Sequence, residues 1–336
     1  MAVTIREVAD AAGVSTATVS RALSGVQTVD PELVERVRQS ADRLGYRANR
    51  VARALRRQST QTVGLVVPDI TDPFYPGVVR AIERELRRTG LSLLLCDSGN
   101  DPEVEAELLR NLYDHQVDGL LVSACDRTAS QPAVQLAASR TPLLQIDQRA
   151  VAELPYVGVE QADAMRQVVE HLLGEGCRSF GYLGARPETS AGQERLDGFL
   201  VQAKPADPAA ADRVQLGDVS VAWGYEAAAR LLDAGPPPEA IVCSSDLAAI
   251  GALQALRERG VSVPGDVAVT GFDDTVLAVA CDPPLTSVRQ PLEELGTQAV
   301  QELTAAIEQH LPQPRSVLLK ADLAVRESSQ RGPQAG

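Results

Sequence analysis

Apolar positions in the first 45 residues recur at helical spacing. Ile5, Val8, Ala9 and Ala12 share one face, Gly13 stops the run, and Thr4 with Glu7 three residues on reads as a capping box at its start. Ser15 is placed to cap a second helix over residues 16–23, with Val19 and Leu23 inward. Asp30 followed by Pro31 opens a third, with Val34, Val37, Ala41 and Leu44 at helical spacing and Gly45 at its end. Two helices on a tight glycine-containing turn, braced by a third, predict a helix-turn-helix unit. Residues 46–61 are Arg-rich and polar with one short amphipathic stretch, so taken alone they form a linker of marginal helicity.

The pattern changes at Thr62. Short apolar runs (VGLVV at 63–67, LSLLLC at 91–96, GLLV at 119–122, PLLQI at 142–146) alternate with helical periodicity, and a second series follows with SFGYLG at 179–184, AIVCS at 240–244 and VAVTGF at 267–272. Continuous apolar strands separated by helices predict parallel sheets buried on both faces, and two series predict two α/β subdomains. In such sheets ligands bind beyond the carboxyl ends of the strands, where this chain places Asp- and Gly-containing loops. The segment AKPADPAAADR after Phe199 shows little of the helix-to-strand pattern.

Charge sharpens the division. The chain of 336 residues carries −13 overall, yet residues 1–60 hold ten arginines against six acidic residues, which is +4 and leaves −17 for the remainder. A small basic head on an acidic body is the footprint of a protein that meets phosphate at one end only. The five cysteines follow no metal-ligand or C-x-x-C spacing, so they are expected to be reduced and mostly buried, with no metal. The N-terminal residues carry charges every few positions, and no apolar run approaches the ~20 residues that span a bilayer. A cytoplasmic protein without membrane contact is the expectation.

The ordered set TIREVADAAGVSTATVSRALSG, LGYRANRVARALR, VGLVVPDITDPFYPGVVRAIE, VPGDVAVTGFDD and PPLTSVRQP resembles the lactose repressor/galactose repressor (LacI/GalR) family from residue 3 to about 328. The resemblance implies an N-terminal all-α helix-turn-helix head and an α/β core of two doubly wound parallel-sheet subdomains, periplasmic-binding-protein-like of type I. The head would span 1–46 and a hinge helix with linker 47–61. The core would span 62–328, with an N-subdomain of about 62–160 and 291–320, a C-subdomain of about 161–290 and 321–328, and a disordered tail over 329–336. It also implies three chain crossings, near residues 160, 290 and 321, and a homodimer on a pseudo-palindromic operator in double-stranded DNA.

A second helix laid in the major groove presents its first side chains to base edges, here Thr16, Ala17, Ser20 and Arg21. By resemblance, Thr16, Ala17 and Arg21 are base-reading positions. Arg21 can bond bidentately to guanine, Thr16 offers a hydroxyl and a methyl, and Ala17 can only pack against a thymine methyl or leave room. Asn49 can cap a hinge helix through Ala52 and Leu55. Leu55 matches the family's minor-groove wedge, with Arg53 and Arg56 serving nearby phosphates.

Asp72, Phe74 and Tyr75 match positions lining the family's effector cleft, and Asp147, Arg195 and Asp273 match polar ligand-binding positions at strand ends or cleft loops. Ser245 stands where many members have Asn, with a shorter reach. Hydroxyls of a sugar can donate to Asp147 and Asp273 and accept from Arg195. A sugar or sugar derivative is therefore the expected effector, and release from the operator the expected response. A nucleoside or purine is the alternative ligand, and a corepressed regulator the alternative mode. The rival from another class is a sugar-binding α/β enzyme, since fold does not fix function. The chain lacks G-x-x-x-x-G-K-[ST], G-x-S-x-G and H-E-x-x-H, and His115, His171 and His310 each sit in a helical pattern. No catalytic residue and no cofactor is expected.

Overall fold

The computed structural model describes residues 3–23, 30–46, 59–309 and 315–331, and the chain divides into two compact units at Thr60/Gln61. The first unit holds α1 (Ile5–Ala12), α2 (Thr16–Leu23) and α3 (Pro31–Leu44). Each helix begins and ends for a local reason. The Thr4 amide donates to Glu7 Oε2 at 2.7 Å while the Glu7 amide donates back to Thr4 Oγ1 at 3.4 Å, completing the capping box. Ser15 Oγ accepts from the Thr18 amide at 3.1 Å, and Asp30 Oδ1 from the Glu32 amide at 2.8 Å. Gly13 and Gly45 close α1 and α3 at φ 65° and 66°, a left-handed conformation that costs glycine nothing. The small core gathers Val8, Ala9, Ala12, Val19, Ala22, Val37 and Ala41.

The second unit is built on two six-stranded sheets. One contains β1 (Thr62–Val67), β2 (Ser92–Asp97), β3 (Gly119–Val122), β4 (Leu143–Ile146), β5 (Tyr156–Val159) and β11 (Ser316–Leu319), in the order β11-β5-β4-β3-β1-β2. The other contains β6 (Phe180–Ala185), β7 (Val214–Gly217), β8 (Ala240–Cys243), β9 (Ala268–Asp273), β10 (Thr286–Arg289) and β12 (Asp322–Ala324), in the order β12-β10-β9-β8-β6-β7. All pairings are parallel except β10 with β12.

Helices cover both faces of each sheet, as parallel strands require. On the first sheet, α4 (Phe74–Thr89) and α12 (Leu292–Gln309) bury Val78, Ile82, Leu295 and Leu303 on one side. On the other side, α5 (Pro102–Asp114) and α6 (Gln131–Ala138) bury Leu109, Leu112 and Val134. The second sheet lies between α7 (Gln161–Gly174) with α8 (Ser190–Ala203) and α9 (Val221–Asp233) with α10 (Asp246–Glu258). The chain passes from one sheet to the other at Glu160, at Gln290–Pro291 and at Lys320–Ala321.

Three features differ from the sequence expectations. β2 is not buried on both faces: it is the edge of its sheet, and Leu94 and Leu95 are exposed. β7 follows the segment that lacked pattern, because residues 208–213 form a 3-10 turn whose Arg213 donates to the Phe180 carbonyl at 3.1 Å and so brings the chain back beside β6. The expected tail does not begin at 329. Ser329 is buried, 2.7 Å from Thr286 Oγ1 and 2.7 Å from His171 Nε2, and the Arg331 amide donates to Glu175 at 2.9 Å. Among the described residues no helix is long and apolar enough to cross a membrane.

Candidate functional site

The head presents one face of α2 outward. Thr16, Ala17 and Arg21 are exposed and Ser20 is half-buried, while Val19 and Ala22 point into the core. That division follows from the 3.6-residue repeat. Residues Asn49, Ala52, Arg53, Leu55 and Arg56 lie outside the described residues.

In the second unit, a cavity of about 620 Å³ opens between the two sheets, beyond the carboxyl ends of their strands. All seven positions expected for the effector line it: Asp72, Phe74, Tyr75, Asp147, Arg195, Ser245 and Asp273. Arg195, on α8, is buried and held on every side. Its Nε donates to Gln161 Oε1 at 2.8 Å and its Nη1 to the Ser244 carbonyl at 2.7 Å, and its guanidinium lies over the Phe272 ring, 3.6 Å from the centroid. The remaining edge faces Asp273, with Nη2 3.9 Å from Oδ1.

The carboxylates are held as firmly. Asp147 accepts from the Tyr75 hydroxyl at 3.0 Å, and its backbone is pinned by its own amide donating to Val157 O at 2.9 Å and by the Tyr156 hydroxyl donating to its carbonyl at 2.8 Å. Asp273 accepts from Gln290 Nε2 at 2.7 Å. Asp147 and Asp273 sit at φ 56° and 101°, in backbone regions that L-residues rarely enter and that cost energy to hold. Both strained carboxylates line the cavity. Burial pushes Asp147 up to about 6 and Asp273 well above its ordinary 3.8, in each case against the pull of Arg195. Burial raises Asp72 as well.

Phe74 and Tyr75 form an edge-to-face pair with centroids 5.1 Å apart. Tyr75 is committed by its bonds to Asp147 and to Ser123, 3.1 Å away, so of the pair it supplies a polar edge to the wall more than a stacking face. Ser245 caps α10, accepting from the Ala248 amide at 3.2 Å, and its hydroxyl proton stays available to a ligand. On one side the cavity is closed by contacts between the sheets' loops. The Arg127 amide donates to Glu188 O at 2.7 Å, the Ala191 amide to Gln148 Oε1 at 3.1 Å, and Arg149 Nη2 pairs with Glu194 at 2.8 Å.

Sequence reasoning missed several other polar residues of the lining. Asn100, Asp126, Gln148, Arg186, Glu188, Asp218 and Ser220 reach the cavity from loops just past β2, β3, β4, β6 and β7. The signal was positional, since each stands within a few residues of a strand's carboxyl end. For Asp218 and Ser220 it was hidden because β7 itself was not recognised.

Comparison with known proteins fits both units. Residues 4–49 match the bacterial regulatory proteins of the lacI family, and residues 169–329 match the periplasmic binding protein-like domain. The chain is 33% identical to the HTH-type transcriptional regulator RegA of Clostridium saccharobutylicum over 98% of this chain and 100% of that protein. The chain belongs to the LacI family. It is thus a DNA-binding transcriptional regulator with a periplasmic-binding-protein-like core, and the family is not one of enzymes. Among solved structures, the LacI-family lac repressor dimer bound to operator and the anti-inducer ONPF superposes with a TM-score of 0.89 at 26% identity, covering 98% of this chain and 99% of that one. The transcriptional regulator CelR–cellobiose complex superposes at 0.73 with 32% identity, over 97% and 99%.

Proposed function

We propose that this LacI-family protein is a cytoplasmic repressor that binds a pseudo-palindromic operator as a homodimer and is released by a sugar entering the cavity between its two sheets. The observation that carries the sugar reading is the pair of strained carboxylates, Asp147 and Asp273, set around an immobilised Arg195. Vicinal hydroxyls can donate to the carboxylates while accepting from the guanidinium, and the CelR complex with cellobiose has the same fold. On the head, Thr16, Ala17, Ser20 and Arg21 are proposed to meet base edges and phosphates, with Asn49, Ala52, Arg53, Leu55 and Arg56 at the minor groove.

A second copy is supported by exposed apolar side chains: Leu94 and Leu95 on edge strand β2, and Val276 and Val279 on α11 (Val276–Ala280). Closure around a ligand changes the relation of the two sheets, and operator affinity can change by no more than the ligand's differential affinity for the two states. The test selects operator DNA from a random pool and then measures binding by fluorescence anisotropy with and without a panel of sugars. Loss of DNA with one sugar supports the reading. Tighter binding reverses the sign of the response, and a nucleobase or nucleoside acting where no sugar does overturns it.

A further inference from the structure

We infer that the effector cavity admits an uncharged, hydroxyl-rich molecule and excludes anions, so that phosphorylated sugars and sugar acids are not its ligands. The inference rests on the sensor reading above and narrows it. Two independent observations support it.

The first is the charge of the wall. Seven carboxylate side chains and two guanidinium groups line the cavity. One of those guanidinia, Arg186, is already paired with Asp218 at 3.0 Å. The other, Arg195, is shared among Gln161, the Ser244 carbonyl and Asp273, and is shielded on one face by Phe272. An entering phosphate would meet no cation that is not already engaged. Asp72, Asp147 and Asp273, which burial already raises toward the neutral acid, would be pushed further that way, so that seating an anion costs either like-charge repulsion or the uptake of protons.

The second is the fate of the helix N-termini. In open parallel sheets the helices that follow the strands aim their first amides and positive dipole ends at the ligand crevice, and those amides bind phosphate in many proteins. Three helices here have their N-termini capped by a hydroxyl of the cavity wall, and ahead of a fourth, α4, whose N-cap is Pro73, a turn at Asp72 engages the first amide. The Phe74 amide at the start of α4 donates to Asp72 Oδ1 at 2.9 Å. Thr189 accepts from the Gly192 amide at 3.2 Å for α8, Ser220 from Trp223 at 3.1 Å for α9, and Ser245 from Ala248 at 3.2 Å for α10. The Ser220 and Ser245 hydroxyls keep a proton to donate, which suits alcohols, whereas the Thr189 hydroxyl donates to the Arg186 carbonyl at 3.4 Å and burial raises the Asp72 carboxyl.

The full-length chain is tested by calorimetry against matched pairs: D-glucose with glucose 6-phosphate and gluconate, D-ribose with ribose 5-phosphate, and cellobiose. Inorganic phosphate is titrated separately against chloride at equal ionic strength. The expected result is that every anionic partner binds at least about 100-fold more weakly than its neutral parent, if that parent binds at all. Phosphate is expected to give no saturable heat that Arg195→Ala removes. Asp218→Asn, which releases Arg186 from a pair whose side chains are both largely exposed, is expected to move the ratio of anion to neutral affinity toward the anion by about 2- to 5-fold. An anionic partner binding as tightly as its parent, or saturable phosphate binding lost in Arg195→Ala, overturns the inference. A chain that binds none of the sugars sinks the sugar reading, while the phosphate titration still decides the exclusion of anions.

Discussion

The guanidinium carbon of Arg195 sits over the ring of Phe272, 3.6 Å from its centre, so this buried cation of the cavity wall is fixed in place before any ligand arrives. A planar, delocalised cation can stack this way and still donate along its edge, whereas an ammonium cannot. Arg195→Lys keeps the charge and loses the plane. We expect the effector-dependent change in operator affinity to disappear in Arg195→Ala and to need at least about 10-fold more sugar in Arg195→Lys, read by anisotropy. A lysine variant that responds like the parent chain would show that charge alone suffices.

Asp147 carries a stability signature that depends on pH. Its folded value of about 6 lies above its ordinary 3.8, so the folded state holds the proton more tightly. The stability this contributes is fully present below about 3.8 and is lost as pH rises through about 6. Asn mimics the protonated acid at every pH. Without effector, Asp147→Asn should therefore melt above the parent at pH 7.5, by an amount on the order of 2–3 kcal/mol, and match it near pH 4. Equal melting temperatures at both pH values would mean that the carboxylate is solvated.

The ion pair between Arg149 and Glu194 spans one edge of the cleft, with each side chain about a third exposed at 35% and 34%. An exposed pair of this kind is worth little, roughly 0.2–1 kcal/mol. Removing it with Glu194→Gln should favour the open arrangement and weaken effector binding about 2- to 5-fold without abolishing it. Unchanged calorimetric affinity would separate this contact from closure.

Arg21 is exposed on α2 opposite the buried Val19 and Ala22. Arg21→Ala should relax base preference at one operator position at a cost of about 1–3 kcal/mol, while binding to random DNA changes far less. Competition against single-base operator variants checks it. An equal loss on every sequence would make Arg21 a phosphate contact.

Leu94 and Val276 are exposed at 44% and 80%. Leu94→Asp with Val276→Asp should convert the dimer to a monomer in sedimentation velocity. Residues 326–331 are bonded to this chain's own core through Arg326, Ser328, Ser329 and Arg331, so a tetramer held together by that segment is not expected.

How much was legible in the sequence depended on how local each signal was. Thr4, Ser15 and Asp30 announced their helices because a cap acts over three residues, and Asp147 and Asp273 announced the cleft because polar residues end apolar runs there. The edge position of β2 could not be read, since LSLLLC is as apolar as a central strand and exposure is decided by the partner a strand lacks. The bond between Ser329 and His171 was equally hidden, because a polar, glycine- and proline-containing terminus gives no hint that its first residues meet a helix 158 positions earlier.

The last strands have a consequence for biosynthesis. β11 and β12 give each sheet an outer strand, and both lie between residues 316 and 324. A nascent chain therefore leaves the ribosome with both halves of the sensor unfinished until residues 316–324 emerge. A premature stop codon just before Ser316 would strip a strand from both sheets at once, leaving β5 and β10 as unpaired edges. Loss of residues 316–324 would thus act as a null allele rather than a mild one.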